Sequence, residues 1–185
     1  MEIERRNPEI TKRTRLVSSG EPGEGPVVYL MSREQRFNDN WALLFAQQEA
    51  LLFKRPLVVI FCFNPSGYEH TQRNVSFLVG GLETVKQQLK KSNIHFLLLI
   101  GKEEQEVADF LHKIDGHSLV IDFDPLKRKR RINSLKEIIF VPITEVDGHN
   151  IVPLWVASDK KEWAAYTLRP KISRLLDEYL IPFPE

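Results

Sequence analysis

Residues 57–63 read Leu-Val-Val-Ile-Phe-Cys-Phe, an unbroken apolar run between Pro56 and Asn64. A run of this length that is apolar at every position is typical of a strand buried on both faces of a parallel sheet. Four other short apolar runs have the same character, and they lie at 27–31, 95–100, 118–122 and 138–142. The sequence therefore predicts five buried strands.

Segments with a helical spacing of apolar residues separate these runs. They are 41–53, with Asn38 or Asp39 as its N-cap, 71–91, 103–114, a segment after Pro125, and 171–180. Strands that alternate with helices predict an α/β, Rossmann-like fold, with a doubly wound, five-stranded parallel sheet and helices on both faces. In the common strand order 3-2-1-4-5, the first and fourth strands are neighbours.

Ligands of such sheets bind outside the carboxyl ends of the strands, at the point where the strand order reverses. In this chain that point follows residues 27–31 and 118–122. We predict that the strand ends and the walls of this crevice bind a ligand. The candidate residues are Met31, Ser32, Arg33, Arg36, Trp41, Phe61, Gly101, Asp122 and Phe123.

The turn after the first predicted strand reads Met-Ser-Arg-Glu-Gln-Arg at 31–36. It lacks the glycines of G-x-G-x-x-G, which a dinucleotide pyrophosphate needs for close approach to the backbone. The sequence therefore disfavours a NAD or FAD site at this turn. Arg33 and Arg36 either bind an anion or form salt bridges with Glu34 or Asp39.

The composition is that of one ordinary globular domain. The 185 residues include 26 Lys and Arg against 25 Asp and Glu, which gives a formal net charge of +1. This balance excludes a basic coat for nucleic acid and a strongly acidic disordered chain. The single cysteine, Cys62, excludes an internal disulfide and a cysteine-based zinc cluster. The five histidines have no metal-binding spacing, so we predict no metal site.

Residues 1–25 form a polar arm that precedes an α/β domain at 26–180. The arm has no apolar segment of the kind that a secretory signal requires. The apolar runs of the domain are too short to span a bilayer. We therefore expect a cytoplasmic protein without a membrane partner.

Five cationic residues follow one another in Lys-Arg-Lys-Arg-Arg at 127–131. Such a run can bind nucleic acid or serve as a localisation signal. On a helix its side chains point in several directions, which favours a solvated surface. Both interpretations remain open from the sequence.

Several stretches of the sequence form a recognisable set when they are taken in order along the chain. They are Gly-Pro-Val-Val-Tyr-Leu-Met-Ser-Arg-Glu-Gln-Arg at 25–36, Asp-Asn-Trp-Ala-Leu-Leu-Phe-Ala-Gln at 39–47, the stretches 93–101 and 120–127, Val-Asp-Gly-His-Asn-Ile-Val-Pro-Leu-Trp-Val-Ala-Ser-Asp-Lys at 146–160, and Tyr-Thr-Leu-Arg-Pro-Lys-Ile at 166–172. Together they resemble the first domain of class II cyclobutane pyrimidine dimer photolyases. The resemblance covers nearly the whole chain from residue 25 onward.

The resemblance implies an α/β domain that carries an antenna chromophore, often a deazaflavin, and packs against a larger helical domain. In that family the helical domain binds FAD and repairs DNA, so FAD and DNA are expected only through it. No catalytic residue is then expected in this chain, and residues 181–185 begin the linker between the domains. The implied interface with the helical domain contains His149, Asn150, Trp163, Tyr166 and Arg169.

Two alternatives belong to other functional classes. In the first, the chain is a non-catalytic module that docks a separate helical FAD domain, or a second copy of itself, through residues 151–179. In the second, the crevice binds a nucleotide such as ATP or AMP, which the missing glycine-rich turn disfavours.

Overall fold

The computed structural model describes residues 6–66, 71–126 and 128–184. In chain order the elements are α1 (Pro8–Thr11), β1 (Thr14–Ser18), β2 (Val27–Met31), α2 (Trp41–Phe53), β3 (Leu57–Phe63), α3 (Gln72–Lys91), β4 (His95–Ile100), α4 (Glu103–Lys113), β5 (Ser118–Asp122), α5 (Arg128–Ile138), β6 (Ile143–Val146), α6 (Leu154–Ala157) and α7 (Ala165–Tyr179). Strands and helices alternate from β2 to β6, which confirms the α/β fold.

The strands form one sheet in the order β1-β6-β5-β2-β3-β4. From β6 to β4 all neighbours are parallel, and these five strands follow the common order 3-2-1-4-5, which the sequence alone does not specify. The predicted count of five is wrong, because β1 adds a sixth strand that pairs antiparallel with β6. This strand comes from the polar arm and reads Thr-Arg-Leu-Val-Ser, without the continuous apolar run of a strand buried on both faces.

The last parallel strand is β6, and the strand predicted at 138–142 is wrong. The amide of Ile139 donates to the carbonyl of Leu135 at 2.9 Å, so helical bonding extends past the end of α5. Leu135 and Ile139 are both buried four residues apart on one helix face. The spacing of Leu135 and Ile139 is that of a helix face. The continuous apolar residues at 138–141 have the pattern of a strand, which explains the wrong prediction.

Two helix starts also differ from the prediction. The N-cap of α2 is Asn40 rather than Asn38 or Asp39, and its side chain accepts a hydrogen bond from the amide of Leu43 at 2.9 Å. Helix α7 begins at Ala165, before Pro170, whereas the sequence predicts a start at 171. The prediction failed there because a proline inside a helix usually marks its boundary.

The two faces of the sheet have separate cores, because successive side chains of a strand point to opposite faces. Tyr29 and Met31 pack with α2 and α3 on one face. Val28 and Leu30 pack with α4 and α5 on the other face. Helices on both faces confirm the doubly wound architecture.

Strand β4 is not buried as predicted, because it lies at the edge of the sheet. Leu97, Leu98 and Ile100 are 42%, 49% and 62% exposed. An apolar run therefore identifies this strand correctly but does not indicate whether a further strand covers it.

The N-terminal arm is tied to the domain through Arg13, which is almost fully buried. Its guanidinium lies 4.3 Å from the ring of Trp41 and donates to the carbonyls of Asn150 and Tyr179 at 3.1 and 3.0 Å. One side chain thus joins the arm to α2 and to the end of α7.

Within the described ranges, no helix is long and apolar enough to cross a membrane.

Candidate functional site

The carboxylate of Asp122 occupies the point where the strand order reverses. Asp122 ends β5, beside β2, and is 1% exposed. Its Oδ2 accepts hydrogen bonds from the backbone amides of Ser32, Arg33 and Glu34 at 2.8, 2.7 and 3.0 Å. The hydroxyl of Ser32 donates to the same oxygen at 3.3 Å. The turn after β2 is therefore an anion-binding turn whose anion is a side chain of the same protein.

This arrangement has a direct chemical consequence. In a dinucleotide-binding domain the amides of the corresponding turn bind a phosphate. Here three of those amides are already bonded to Asp122. A nucleotide that placed its phosphate on this turn would have to displace a buried carboxylate.

A second layer of hydrogen bonds connects Asp122 to α2. The hydroxyl of Tyr29 donates to Oδ1 of Asp122 at 2.7 Å. The side-chain amide of Asn40 donates to the hydroxyl of Tyr29 at 3.2 Å and to the carbonyl of Glu34 at 2.8 Å. Burial, followed by the charge of Asp122, raises the pKa of Tyr29 well above its ordinary value, so the hydroxyl keeps its proton and acts as a donor.

Glu34 is a buried carboxyl group in the same turn, and only 4% of the residue is exposed. Burial raises its pKa from the usual 4.5 to about 7, although the neighbouring Arg36 opposes this rise. The negative charges of Asp122 and Asp147 raise it further. Arg36 forms an ion pair with Glu34 and is itself exposed.

The structure brings Ser32, Arg33 and Asp122 together, as the sequence predicts for the strand ends. The side chains of Arg33 and Arg36 are exposed at the rim of this edge. The aromatic and apolar candidates lie inside the core instead; they are Met31, Trp41, Phe61 and Phe123. That these residues bind a ligand stays a prediction.

Trp41 has neighbours from both ends of the chain. The ring of Phe183 packs against it with 4.4 Å between the ring centroids, and Arg13 lies over it. In this conformation its ring faces protein rather than a ligand. Phe123 likewise contacts a protein ring, that of Trp155, at 6.1 Å.

Gly101 lies after β4, at the same end of the sheet but two strands away from β2. Its amide donates to the carbonyl of Phe63 at 3.0 Å. Its φ is +151°, and a Cβ atom at this position would lie 2.3 Å from the carboxylate of Glu106. Glycine is therefore favoured here by the positive φ, whereas the flexible side chain of Glu106 could move aside for a Cβ atom.

Two of the five cationic residues in the basic run are paired with carboxylates. Lys127 lies outside the described residues. Arg128 forms a bidentate ion pair with the buried Glu145 at 2.8–3.0 Å. Arg131 forms another with Glu103, and its shortest contact is 2.5 Å. Two arginines of the run thus hold α5 in place, and a nucleic-acid role for the run stays a prediction.

Most of the predicted interface residues are exposed. Trp163 and Tyr166 are 84% and 79% exposed, and His149 and Arg169 also face solvent. Asn150 differs, because its side chain donates to the carboxylate of the buried Asp147 at 3.0–3.1 Å.

Asp147 organises the chain before α6. Its Oδ2 also accepts from the amide of Leu154 at 2.8 Å, so this carboxylate caps the short helix. The phrase that begins at Val146 therefore has a structural role in shaping this loop.

Within the described residues, no three metal-ligating side chains form a cluster. Burial, together with the charges of Glu103 and Glu106, raises the pKa of the Cys62 thiol to about 12. The thiol therefore stays protonated near neutral pH and is a poor nucleophile.

The sequence analysis named Glu34 only as a salt-bridge partner, which the ion pair with Arg36 confirms, and it did not identify Tyr29 or Arg13 as parts of this region. Tyr29 lies in an apolar run, and Glu34 and Arg13 lie among other charged residues. Their burial follows from which strands are neighbours, and a linear pattern contains no signal for it.

Comparison with known proteins places the chain in a family. The sequence pattern of the DNA photolyase family matches residues 27–185. A deoxyribodipyrimidine photo-lyase of Potorous tridactylus is 43% identical over 162 residues, which are 85% of this chain and 30% of the relative. The corresponding protein of Arabidopsis thaliana is 39% identical over 166 residues, which are 87% of this chain and 33% of that relative. This chain thus spans about a third of these relatives.

A solved structure agrees with this result. A bacterial class III photolyase from Agrobacterium tumefaciens superposes with a TM-score of 0.62 at 18% identity, over 86% of this chain and 33% of that one. At this identity the match shows the fold alone. The family pattern and the two relatives carry the assignment: the chain belongs to the DNA photolyase family and corresponds to the N-terminal α/β domain of its members.

Proposed function

We propose that this chain is the antenna-type domain of a class II cyclobutane pyrimidine dimer photolyase. The phrases at 25–36 and 146–160 support the class. The proposed ligand is a deazaflavin or a similar planar chromophore at the carboxyl edge of the sheet. FAD and the repair of DNA are assigned to a helical partner domain. In the described residues, no glycine-rich turn follows β2, as an FAD pyrophosphate would require.

The main support for the proposed ligand site is that the backbone and the side chain of Arg33 have different roles. Its backbone amide is bonded to Asp122, which fixes the turn, while its side chain is exposed at the rim. Because the backbone of the turn is held by Asp122, binding a ligand at the rim orders the side chain of Arg33 but not its backbone. Because the turn amides are occupied, the residues fit a ring that lies across the rim rather than a phosphate held by the turn.

The deciding experiment is a titration of the purified protein with a deazaflavin, followed by absorption and fluorescence anisotropy. We expect saturable binding with a shifted absorption band. In Arg33→Ala the dissociation constant should rise roughly five- to tenfold, the effect of one charge-assisted hydrogen bond. Lys113→Ala removes an exposed cation at the opposite edge and should bind like the wild type.

Absence of any spectral change in the wild-type protein would remove the antenna proposal. Equal weakening by both substitutions would show nonspecific attraction to positive charge and would argue against the rim site.

The partner domain is proposed to dock on the surface formed by Trp163, Tyr166 and Arg169. Their exposed aromatic rings are the kind of side chain that interfaces favour. The test is co-elution of this chain with the region of the Arabidopsis thaliana relative that lies beyond the matched third. Retention of co-elution after Trp163→Ser and Tyr166→Ser are combined would place the contact elsewhere.

A further inference from the structure

Strand β4 is an open edge of the sheet. It pairs with β3 in an unbroken register from His95 to Ile100, and none of the described strands pairs with its other side. Leu98 and Ile100 are 49% and 62% exposed. An edge of this kind presents a row of backbone N–H and C=O groups to another strand, together with apolar side chains.

The opposite edge of the sheet is protected against such pairing, whereas β4 is not. Strand β1 carries the exposed Arg15 and an irregular register between Leu16 and Ser18, and both features hinder the addition of a strand. Strand β4 reads His-Phe-Leu-Leu-Leu-Ile, without a lysine, a proline or a break in its register. Because monomeric proteins usually blunt their edges, the unprotected β4 is typical of a strand that another strand covers.

One hydrogen bond at the end of β4 shows which backbone groups point outward. The amide of Gly101 donates to the carbonyl of Phe63, so it points towards β3. The direction of the backbone groups alternates along a strand, which places those of residues 97 and 99 on the β3 side as well. The N–H and C=O groups of Phe96, Leu98 and Ile100 therefore point away from the sheet.

These outward groups are self-complementary about a two-fold axis through Leu98. When two copies of β4 lie antiparallel, Leu98 is opposite Leu98 of the second copy, and Phe96 is opposite Ile100 of the second copy. This register joins outward groups to outward groups in about six hydrogen bonds. It also forms pairs of an aromatic and a β-branched side chain, which stabilise antiparallel strands.

A groove of about 140 Å³ between α3 and β4 extends this edge. Its apolar lining includes Val79, Phe96 and Leu98. Its charged residues, Glu83 and Lys86, are paired with each other at 3.6 Å. Because these charges cancel, the groove does not repel a second copy of itself. Since Leu98 lines the groove, a two-fold axis through this residue brings the grooves of two copies together.

From these observations we propose that the chain forms a homodimer through β4, with Leu98 on the two-fold axis and the two six-stranded sheets joined into one. A two-fold dimer requires the same patch on both subunits to be self-complementary, and the outward groups of β4 meet this requirement. The surface lies two strands away from β2 and the rim residue Arg33. It does not include Trp163 or Tyr166, so the dimer is independent of the proposed function.

Analytical ultracentrifugation of the whole chain from about 1 to about 100 µM tests this proposal, and we expect a reversible monomer–dimer equilibrium. Leu98→Lys places like charges opposite each other on the axis and should raise the dissociation constant about 100-fold. Leu16→Lys is the matched control, because Leu16 is a similarly exposed leucine on the opposite edge. This variant should dimerise like the wild type.

A mixing experiment tests the register itself. Leu98→Glu should also be monomeric, and an equal mixture with Leu98→Lys should dimerise again, because opposite charges then meet on the axis. Circular dichroism verifies that each variant is folded. Hydrogen exchange adds a second readout: the amides of Phe96 and Ile100 should exchange more slowly in the wild type than in Leu98→Lys, while those of Leu97 and Leu99 stay protected in both.

A wild-type protein that stays monomeric at the highest concentration would overturn the proposal. A dimer that persists in Leu98→Lys, or that Leu16→Lys weakens equally, would place the contact elsewhere and overturn it as well. A mixture of the two Leu98 variants that remains monomeric would contradict the two-fold axis at this residue.

Discussion

The two ends of the adjacent strands β2 and β5 use polar groups in opposite ways. At the carboxyl end, Asp122 accepts four hydrogen bonds at one oxygen from residues 32–34 and another from Tyr29. At the amino end, the hydroxyl of Ser118 is buried without a partner beside a cavity of about 360 Å³. The amides of the turn at the expected binding end are thus occupied by the protein itself, which leaves the rim of that edge for a ligand, while a cavity remains at the other end.

The comparison teaches that a topological rule locates a site without stating what fills it. The reversal of strand order creates a crevice with free amides in any fold of this type. Whether those amides meet a ligand or a side chain depends on one residue at the end of β5. In this chain that residue is an aspartate, so the turn is rigid before any ligand binds.

The largest effect should follow from removing that residue. Asp122→Ala leaves three backbone amides and the hydroxyl of Tyr29 without their acceptor in a buried site. We expect the free energy of unfolding to fall by about 3 to 5 kcal/mol, measured by urea denaturation. Asp177→Ala, an exposed carboxylate of α7, should change it by less than about 0.5 kcal/mol.

Asp122→Asn sharpens this result, because the amide keeps one accepting oxygen and presents an NH₂ group to the remaining donors. The decrease in its free energy of unfolding should lie between those of Asp122→Ala and Asp177→Ala. A loss below about 1 kcal/mol for Asp122→Ala would contradict the view that this carboxylate organises the edge.

The next effect concerns pH and the buried Glu34. Its pKa is raised from 4.5 to about 7 on folding. Between these values the folded state binds more protons than the unfolded state, so this group's contribution to stability falls as pH rises through that window and then levels off. Relative to wild type, Glu34→Gln should therefore become more stable as pH rises from 4.5 towards 7, by a total on the order of 3 kcal/mol.

Urea denaturation at several pH values measures this difference, with the exposed Glu21→Gln as the control. A Glu34→Gln variant whose stability relative to wild type is the same at about pH 4 and about pH 8 would show that the carboxyl group titrates normally.

The smallest effect compares two serines directly. Ser32→Ala removes the hydroxyl that donates to Asp122 at 3.3 Å, and we expect a loss of about 1 kcal/mol. Ser118→Ala removes a buried hydroxyl that has no partner, and we expect a change near zero or a gain of about 0.5 kcal/mol. Thermal unfolding of the two variants side by side tests the contrast, and equal losses would refute it.

Much of the fold was predictable because its signals are local. The apolar runs at 27–31 and 57–63 identify their strands. The general rule that crossovers between parallel strands are right-handed limits how the helices and strands can be arranged. The prediction of a strand at 138–142 failed because Ile139 is followed by two further apolar residues, which together resemble a strand. In the structure Ile139 is instead bonded to Leu135 in the continuation of α5. Strand β1 was missed because an edge strand needs no continuous apolar run.

The position of the candidate site could be predicted from the sequence, but the contacts of its side chains could not. Ser32, Arg33 and Asp122 are brought together as the strand ends required. Trp41, in contrast, is covered by Arg13 and Phe183, which are far from it in sequence. Contacts of this kind depend on how distant segments meet, and a linear pattern does not specify them.

By itself, the sequence determined the class of fold and the absence of a glycine-rich phosphate turn after β2. It did so because periodicity and turn chemistry act over a few residues. Only the tertiary structure decided that Asp122 closes the turn at one end of the sheet and that Ser118 is left unpaired at the other. These outcomes depend on burial and on neighbours from different strands, which exist only after the chain has folded.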